Sequence, residues 1–530
     1  MSDRFKMIAK TFQGLENVLA DELRELGAEN VEVGRRAVEF EGDKRMLYRA
    51  NFCCRCALRI LKPIYTFYAH DADELYREVS KFNWDSVLTP ERTFAIEATV
   101  NSEEFRHSRF VTYKVKDAIA DYFTSRYGKR PSIRLNNPDL RLDVHISEKD
   151  VSLALDSSGE SLHKRGWRVD QTEAPINEVL AAGILRLAGW KGESDLIDPM
   201  CGSGTFLIEA AMMARNIYPG VYRSNFAFEH WTDFDADLFE EIYNDDSAER
   251  EFNHHIYGTD ISPKAIAIAA KNIRSAGVAK YVTAEVKPFQ AWEEAPEGGI
   301  LVTNPPYGER LTMDELDGFY RMVGSQLKNK FKGYNAWLIG PATEVFAGIG
   351  LKPSVKYPLL NGSIECELRK YEIFDGRYSD FVKEGGRLSN DGINRDDAKP
   401  DPLRKPFVRD RKPFDRDRKP FDRDRKPFDR DRKPFDRDHK PFDRDRKPFD
   451  RDRKPFDRDR TEHRAGEKRE LLHGEEFLRH IIRDRQPRLG AEAERPVLHG
   501  RRKSWKRLQE GETGSGRALD RTKKSEKTEE

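Results

Sequence analysis

The sequence predicts an α/β protein in which a doubly wound, largely parallel sheet follows two small α+β modules and precedes a disordered tail. Between residues 170 and 375, short continuous apolar strands are each followed by a glycine-containing turn and a helix, which is typical of buried parallel strands. Residues 1–165 instead mix amphipathic helices with strands of alternating polarity. Beyond about residue 390 the periodic apolar pattern is lost.

The first α+β module is predicted to span residues 1–65. Apolar side chains recur at helical spacing from Leu15 to Leu26, and Gly27 follows as a helix stop. The remaining predicted elements are a hairpin of Val31–Val33 and Ala37–Phe40, a helix over Met46–Ala50 and a strand over Ala57–Ile64.

The second α+β module is predicted to span residues 66–165. Leu140–Ser147 and Asp150–Asp156 alternate in polarity around a short turn, which predicts a pair of antiparallel strands. The other predicted elements are the helices Asp71–Ser80 and Arg109–Arg126 and the strand Thr93–Val100.

The sheet domain is predicted to span residues 166–380. Its strands are read from continuous apolar runs, because a strand buried on both faces has no alternating pattern. These predicted strands are Asp195–Asp198, His255–Asp260, Gly299–Asn304 and Asn335–Gly340, and a helix over Phe206–Asn216 follows the first.

The tail, residues 390–530, is dominated by a heptad RKPFDRD that occurs eight times between residues 404 and 459. Proline in every heptad excludes a helix or a coiled coil, and one phenylalanine per heptad is too little to form a core, so we expect disorder. A short helix over Leu471–Ile482 is the exception. Six copies carry a charge of +1, one carries +2 and one is neutral, so the array carries +8 and the rest of the chain −7. A basic arm on an acidic body predicts a polyanionic partner.

Cysteine content and the absence of targeting signals predict a cytoplasmic protein without a metal site. Five cysteines in 530 residues fit a reducing compartment. Cys53, Cys54 and Cys56 lie together, but no second Cys/His pair stands at a zinc-binding spacing, so we expect small buried side chains. Neither a signal peptide nor an apolar run long enough to cross a membrane is present.

The sequence DPMCGSGT, from Asp198 to Thr205, closes a predicted strand and opens a helix. Its two glycines permit a sharp turn and close approach of a ligand, at the sheet edge where doubly wound folds bind cofactors. A dinucleotide and an adenosyl amino acid both fit such a loop, and the absence of GxGxxG or GK[ST] argues against phosphate binding. Cys201 lies inside this cofactor loop, where no nucleobase substrate is expected, so it is not expected to be a nucleophile.

Two further motifs end later strands. Asp260 closes the next strand, where a carboxylate can bind both hydroxyls of a ribose or simply cap the following helix, a role for which Ser262 competes. Asn304-Pro305-Pro306-Tyr307 follows a third strand. The Asn304 side chain and the Pro305 carbonyl can accept both hydrogens of a planar amino group and so direct its lone pair toward an incoming methyl group. Tyr307 offers a stacking face for the base.

These three motifs resemble those of class I methyltransferases that act on amino nitrogens. Thr11–Glu16 (TFQGLE), Ser157–Trp167 (SSGESLHKRGW) and Ala174–Glu178 (APINE) extend the resemblance to THUMP-domain RNA methyltransferases, in particular the bacterial large-subunit rRNA guanine-N2 methyltransferases. The resemblance covers about residues 1–375. It implies a ferredoxin-like module, a THUMP RNA-binding domain and a Rossmann-like catalytic domain.

The resemblance also implies S-adenosyl-L-methionine as cofactor and a set of site residues. The cofactor would be bound by Asp198, Gly202, Ser203, Gly204, Thr205, Asp260 and Asn304, and the target base by Asn304, Pro305 and Tyr307. Family members often have an acidic residue near the cofactor's adenine, after the strand that follows Asp260. Residues 286–290 contain none, so backbone contacts are expected there instead.

Basic and aromatic side chains near residue 110 are predicted to bind RNA, with Arg106, Arg109, Lys114 and Lys116 as the candidates. A solvated helix face would have a similar composition, and the THUMP resemblance favours RNA. The expected reaction is methylation of guanine N2 in 23S rRNA without a metal. The alternatives are a tRNA guanine, adenine N6, a protein glutamine, or a noncatalytic RNA-binding ribosome-assembly factor.

Overall fold

The computed structural model describes residues 4–374, except 297, 309–311 and 343. The heptads of residues 404–459 and the predicted helix Leu471–Ile482 lie outside the described residues. The strands are β1 Phe5–Lys10, β2 Glu29–Val33, β3 Ala37–Gly42, β4 Arg59–Tyr68, β5 Thr93–Asn101, β6 Ser132–Ile133, β7 Leu140–Ser147, β8 Asp150–Asp156, β9 Asp195–Asp198, β10 Ile256–Asp260, β11 Val282–Val286, β12 Gly299–Thr303, β13 Tyr334–Pro341, β14 Val355–Asn361 and β15 Ile364–Glu372. The α-helices are α1 Glu16–Glu25, α2 Lys44–Cys53, α3 Ala72–Lys81, α4 Ser108–Tyr127, α5 Glu178–Leu187, α6 Thr205–Arg215, α7 Ala236–Asn244, α8 Pro263–Ser275 and α9 Met313–Lys330.

Among the described residues, β1–β8 form one sheet in the order β2-β3-β1-β4-β8-β7-β5-β6. β4 pairs with β1 on one side and with β8 on the other, so both predicted α+β modules share a continuous sheet. Their helices bury one apolar face each; α4 places Val111, Val115 and Ile119 against the sheet, at spacings that share a helix face.

The remaining strands form a second sheet, in the order β11-β10-β9-β12-β13-β15-β14 within the described part of the chain. The first five are parallel, which confirms the predicted α/β fold, whereas β15 runs antiparallel to both β13 and β14. The strand order reverses between β9 and β12, the position at which doubly wound sheets open a crevice for ligands.

Residues 218–250, between α6 and β10, leave the second sheet and pack on the N-terminal half. Phe226, Phe228 and Phe239 belong to the same buried apolar cluster as the first sheet. Phe228 stacks on Tyr48 of α2, with ring centroids 4.4 Å apart. One apolar core therefore includes side chains from both halves. In the described residues no helix has the length and hydropathy that crossing a membrane requires.

Candidate active site

The three predicted motifs meet at one edge of the second sheet. Asp198 ends β9, Asp260 ends β10, and Asn304 follows β12. β9 pairs in parallel with both β10 and β12, so their carboxyl ends are adjacent. Sequence positions that are more than 100 residues apart are thereby brought to one crevice.

The loop after β9 has the backbone geometry that its glycines predict. Gly202 and Gly204 have φ values of 53° and 84°, in the left-handed region that favours glycine. Gly204 is the N-cap of α6, and a Cβ there would lie 3.3 Å from the Cβ of Ala269. At Gly202 an added Cβ would meet nothing nearer than Thr172 Oγ1 at 3.9 Å, so the loop borders open space.

Asp260 ties this loop to the neighbouring strand. Its Oδ2 accepts a hydrogen bond from the Gly202 amide (3.0 Å), and its Oδ1 accepts one from the Ser262 amide (2.8 Å). Ser262, not Asp260, caps α8, since its hydroxyl accepts from the Ala265 amide. The half-buried Asp260 carboxylate keeps lone pairs for a ligand, because each carboxylate oxygen can accept more than one hydrogen bond.

Asp198 is buried beneath the loop. Its Oδ1 accepts hydrogen bonds from Thr303 Oγ1 (2.7 Å) and from the Met200 amide (3.2 Å). Removal from water disfavours the charged form and, with a smaller effect of the nearby Asp260 charge, raises the pKa of Asp198 to about 7. A cationic ligand group beside this carboxyl would favour its ionised form.

Asn304 and Tyr307 have different surroundings. The Oδ1 of Asn304 is buried and has no hydrogen-bond partner among the described residues, which is unusual for a buried acceptor. The hydroxyl of Tyr307 accepts from Asn361 Nδ2 at 3.2 Å and lies 3.8 Å from Cys366 Sγ, both on the β14–β15 hairpin. Burial raises the pKa of Tyr307, and its ring is half-buried. Pro305, which follows Asn304 in the sequence, is buried.

The structure adds site residues that the motifs do not contain. Thr303 fixes Asp198, and Trp292 Nε1 donates to Thr259 Oγ1 (3.1 Å) beside the loop. Ile261 and Val286 expose apolar side chains at the same sheet edge, 71% and 52% exposed. Ile261 directly follows β10 and Val286 ends β11, and branched apolar residues at these two strand ends were a signal in the sequence for an apolar ligand surface.

The predicted RNA-binding residues lie at the start of α4 and on its exposed face. Arg109 donates from Nε to the Tyr113 hydroxyl (3.3 Å), and Lys116 Nζ lies 5.5 Å from the centroid of the Tyr113 ring. Arg106 precedes the helix and is exposed. Both lysines are ion-paired: Lys114 with Asp73 of α3 at 3.2 Å, and Lys116 with Asp117 at 2.8 Å.

The five cysteines are buried free thiols. Cys53, Cys54 and Cys56 are buried in the first core, and burial raises the pKa of each thiol. Cys201 is also buried, and burial raises its pKa well above the usual value. Within residues 4–374 as described, no group of three His, Cys, Asp or Glu side chains is placed to hold a metal ion.

Comparison with known families gives three matches along the chain. Residues 6–61 match the RlmL ferredoxin-like domain, residues 69–156 the THUMP domain, and residues 165–370 the RMKL-like methyltransferase domain. The three matches follow one another without overlap. They include the strands of both sheets except the first residue of β1, residues 62–68 of β4 and the last two residues of β15.

Individual relatives match over the same region. A Synechocystis sp. protein named "Putative RNA methyltransferase slr0064" is 38% identical over 369 residues, covering 69% of this chain and 96% of the relative. The ribosomal RNA large subunit methyltransferase K/L of Syntrophotalea carbinolica is 39% identical over 392 residues, covering 71% of this chain but only 55% of that longer protein. Among solved structures, SMU.472, described as a putative methyltransferase complexed with SAH, is similar with a TM-score of 0.64 and 29% identity, over 71% of this chain and all of that one.

Proposed function

Because this chain belongs to the RMKL-like methyltransferases that carry a THUMP domain, we propose that it methylates N2 of a guanine in 23S rRNA. S-adenosyl-L-methionine is the cofactor, and its sulfonium supplies an electrophilic methyl group. The observation that carries the proposal is the convergence of the glycine loop, Asp260 and Asn304 at one sheet edge.

The donor set of this edge fits that cofactor. Two carboxyl groups, Asp198 and Asp260, suit an amino group and ribose hydroxyls, and the glycine loop leaves open space beside them. Ile261 and Val286 offer apolar surface for a planar ring. The lack of an acidic side chain in residues 286–290 leaves backbone groups there to contact the adenine edge.

The target amino group would be held by Asn304. Its buried Oδ1, which has no partner among the described residues, can accept one N–H, and the Pro305 carbonyl the other. The Asn304 Oδ1 would then gain its hydrogen bond only when the base is bound, which favours the productive complex. Catalysis of this kind depends mainly on such positioning. Tyr307, held by Asn361 at its hydroxyl, would present its ring to the base.

RNA would be delivered by the N-terminal half. Arg106, Arg109, Lys114 and Lys116 would contact phosphates, with the exposed rings of Phe110 and Tyr113 beside them. The guanine must leave any duplex to reach Asn304, because the amino group is otherwise paired and stacked. The tail heptads would add salt-sensitive affinity for RNA.

The test is methyl transfer from radiolabelled S-adenosyl-L-methionine to unmodified 23S rRNA, tRNA and a protein extract, followed by nucleoside mass spectrometry. Asn304→Ala is compared with Asn329→Ala, a control on the exposed face of α9. We expect the wild type and Asn329→Ala to form N2-methylguanosine in 23S rRNA. Asn304→Ala should form it at least about 100-fold more slowly.

Other outcomes overturn defined parts of the proposal. Label found only in tRNA would mean that tRNA, not 23S rRNA, is the substrate. Label in N6-methyladenosine would mean that the target is adenine N6, not guanine N2. Label in a protein glutamine removes RNA as the substrate. A wild-type chain that fails to bind S-adenosylhomocysteine in calorimetry is not a methyltransferase, and a noncatalytic RNA-binding role then takes its place.

A further inference from the structure

Arg168 lies on the segment that joins the N-terminal sheet to the catalytic sheet, between β8 and α5. Its guanidinium makes three hydrogen bonds on different sides. Nε donates to Glu178 Oε1 (2.6 Å), Nη1 donates to Ser203 Oγ (2.9 Å), and Nη2 donates to Thr205 Oγ1 (2.8 Å). The last two acceptors belong to the glycine loop after β9.

The environment of Arg168 makes these bonds strong and specific. Its side chain is 16% exposed and that of Glu178 only 6%, so solvent screens the pair weakly. The guanidinium also lies over the ring of Trp167, 4.9 Å from its centroid. The three bonds leave from three different nitrogens of a planar fork with fixed N–H directions, whereas an ammonium group would have to donate all three from one nitrogen.

The loop needs such a restraint. Ser203 and Thr205 flank Gly204, which caps α6 without a side-chain hydrogen bond. Gly202 and Gly204 have the backbone freedom that lets the loop turn, but the same freedom permits other conformations once the chain is not held. Arg168 fixes the hydroxyl on each side of Gly204.

A second side chain ties the same two segments. Asn272 of α8 is fully buried, and its Oδ1 accepts from the Val169 and Asp170 amides while its Nδ2 donates to the carbonyls of Asp170 and Ser203. Asn272 therefore bonds both to the residues after Arg168 and to the glycine loop, and so fixes their relative position.

We propose that Arg168 is a positioning residue, which sets the conformation of the cofactor loop from the segment that follows the RNA-binding half. The proposal rests on the proposed cofactor site, because the loop it holds is the one assigned to S-adenosyl-L-methionine. Its effect is on cofactor affinity through Ser203 and Thr205, and it touches no reacting atom.

The test compares Arg168→Gln and Arg168→Lys with Arg215→Gln. Arg215 is a matched control at the opposite end of α6: it is 19% exposed, pairs with Glu249 at 3.0 Å and lies 5.3 Å from the Tyr281 ring centroid. Calorimetry measures the Kd of S-adenosylhomocysteine, steady-state kinetics measures KM for RNA, and hydrogen exchange measures the amides of residues 202–206 in the ligand-free protein.

Arg168→Gln is expected to raise the Kd at least tenfold and to speed exchange of the loop amides, with KM for RNA within twofold of wild type. Arg168→Lys should give an intermediate Kd, and Arg215→Gln a Kd within twofold of wild type at a similar loss of Tm. The increases in Kd of Arg168→Gln and Thr205→Val should combine to less than their product, since either substitution removes the Arg168–Thr205 hydrogen bond.

An Arg168→Gln protein with wild-type Kd and wild-type loop exchange would overturn the proposal, as would an equal rise in Kd with Arg215→Gln. Failure of the wild-type chain to bind S-adenosylhomocysteine is a different result. It removes the proposed function, whereas the exchange rates of the ligand-free loop still decide whether Arg168 positions it.

Discussion

At the scale of single residues, the crevice holds polar groups whose burial costs free energy when no ligand is bound. Asp198 is 1% exposed, and its two hydrogen bonds compensate only part of its removal from water, as the raised pKa shows. Asn304 keeps a buried acceptor without a described partner. Polar groups left in this state are typical of sites whose missing partners belong to a ligand.

Replacing Asp198 by Asn should remove a pH dependence of stability. The pKa of Asp198 is raised to about 7 from a usual 3.8, so between these values the folded chain holds a proton that the unfolded chain has lost. The free energy of unfolding of the wild type should therefore fall as pH rises through this window, by an amount on the order of a few kcal/mol at most.

Urea unfolding of the ligand-free protein from pH 5 to pH 8 measures this effect. The stability of Asp198→Asn relative to wild type should rise from pH 5 to about pH 7 and level off towards pH 8. Parallel stability profiles for the two proteins would show that the Asp198 pKa is not raised in the folded chain.

At the scale of elements, α6 approaches β10 closely because Gly258 has no side chain. A Cβ at this position would lie 2.3 Å from Leu207 Cδ1, and Leu207 is fully buried. Gly258→Ala should destabilise the protein by about 1–3 kcal/mol, since a packed core accepts extra volume poorly. It should also weaken S-adenosylhomocysteine binding, because α6 carries the cofactor loop.

Gly318→Ala is the control for that substitution. Gly318 lies in α9 with nothing within 4 Å of the added Cβ, so alanine should stabilise the helix by about 0.5–1 kcal/mol. Thermal unfolding and calorimetry check both variants. Equal stability of Gly258→Ala and wild type would show that α6 can shift without strain.

The exposed face of α4 should contribute to RNA affinity through individual charges. Arg109→Gln should reduce the slope of log K against log salt by about 1, as expected for loss of one phosphate contact. Lys114→Gln and Lys116→Gln should each change it less, because these lysines must first leave Asp73 and Asp117. Fluorescence anisotropy at several salt concentrations measures the slopes, and three unchanged slopes would place the RNA elsewhere.

Elements with a strong local pattern could be predicted from the sequence. β7, β8 and β9 begin and end where alternating or continuous apolar runs predicted them, and the glycine and proline motifs located the ends of β9 and β12. β14 was missed because Tyr357 and Pro358 interrupt its pattern, and proline is rare in strands. β15 was missed with it, so the antiparallel edge of the sheet was not foreseen.

The supporting side chains of the site could not be predicted in the same way. Thr303 bonds Asp198 across 105 positions, and Arg168 reaches Ser203 across 35. Such pairs depend on strand order and on a segment outside the motifs, neither of which leaves a local pattern. Arg168 follows directly after the stretch that carried the THUMP resemblance, yet nothing in that stretch indicated its partner.

At the scale of the whole molecule, the aromatic residues of 218–250 make the two sheets depend on a shared core. Phe239 of α7 is fully buried, and its ring centroid lies 5.8 Å from that of Tyr48 and 6.2 Å from that of Phe52, both on α2. A rigid joint of this kind would fix the distance from the RNA-binding face to Asn304, so the RNA rather than the protein would have to adapt.

Phe239→Ala should therefore affect RNA use as well as stability. Loss of a buried phenylalanine is expected to lower the free energy of unfolding by about 3–5 kcal/mol. Phe252→Ala, buried in the catalytic core beside Trp190, should have a comparable effect on stability. Only Phe239→Ala should also raise KM for RNA several-fold at an unchanged Kd for S-adenosylhomocysteine, because only it loosens the joint between the sheets. Urea unfolding, steady-state kinetics and calorimetry on both variants measure the difference, and an equal KM for the two would mean that the RNA-binding half and the catalytic half act independently.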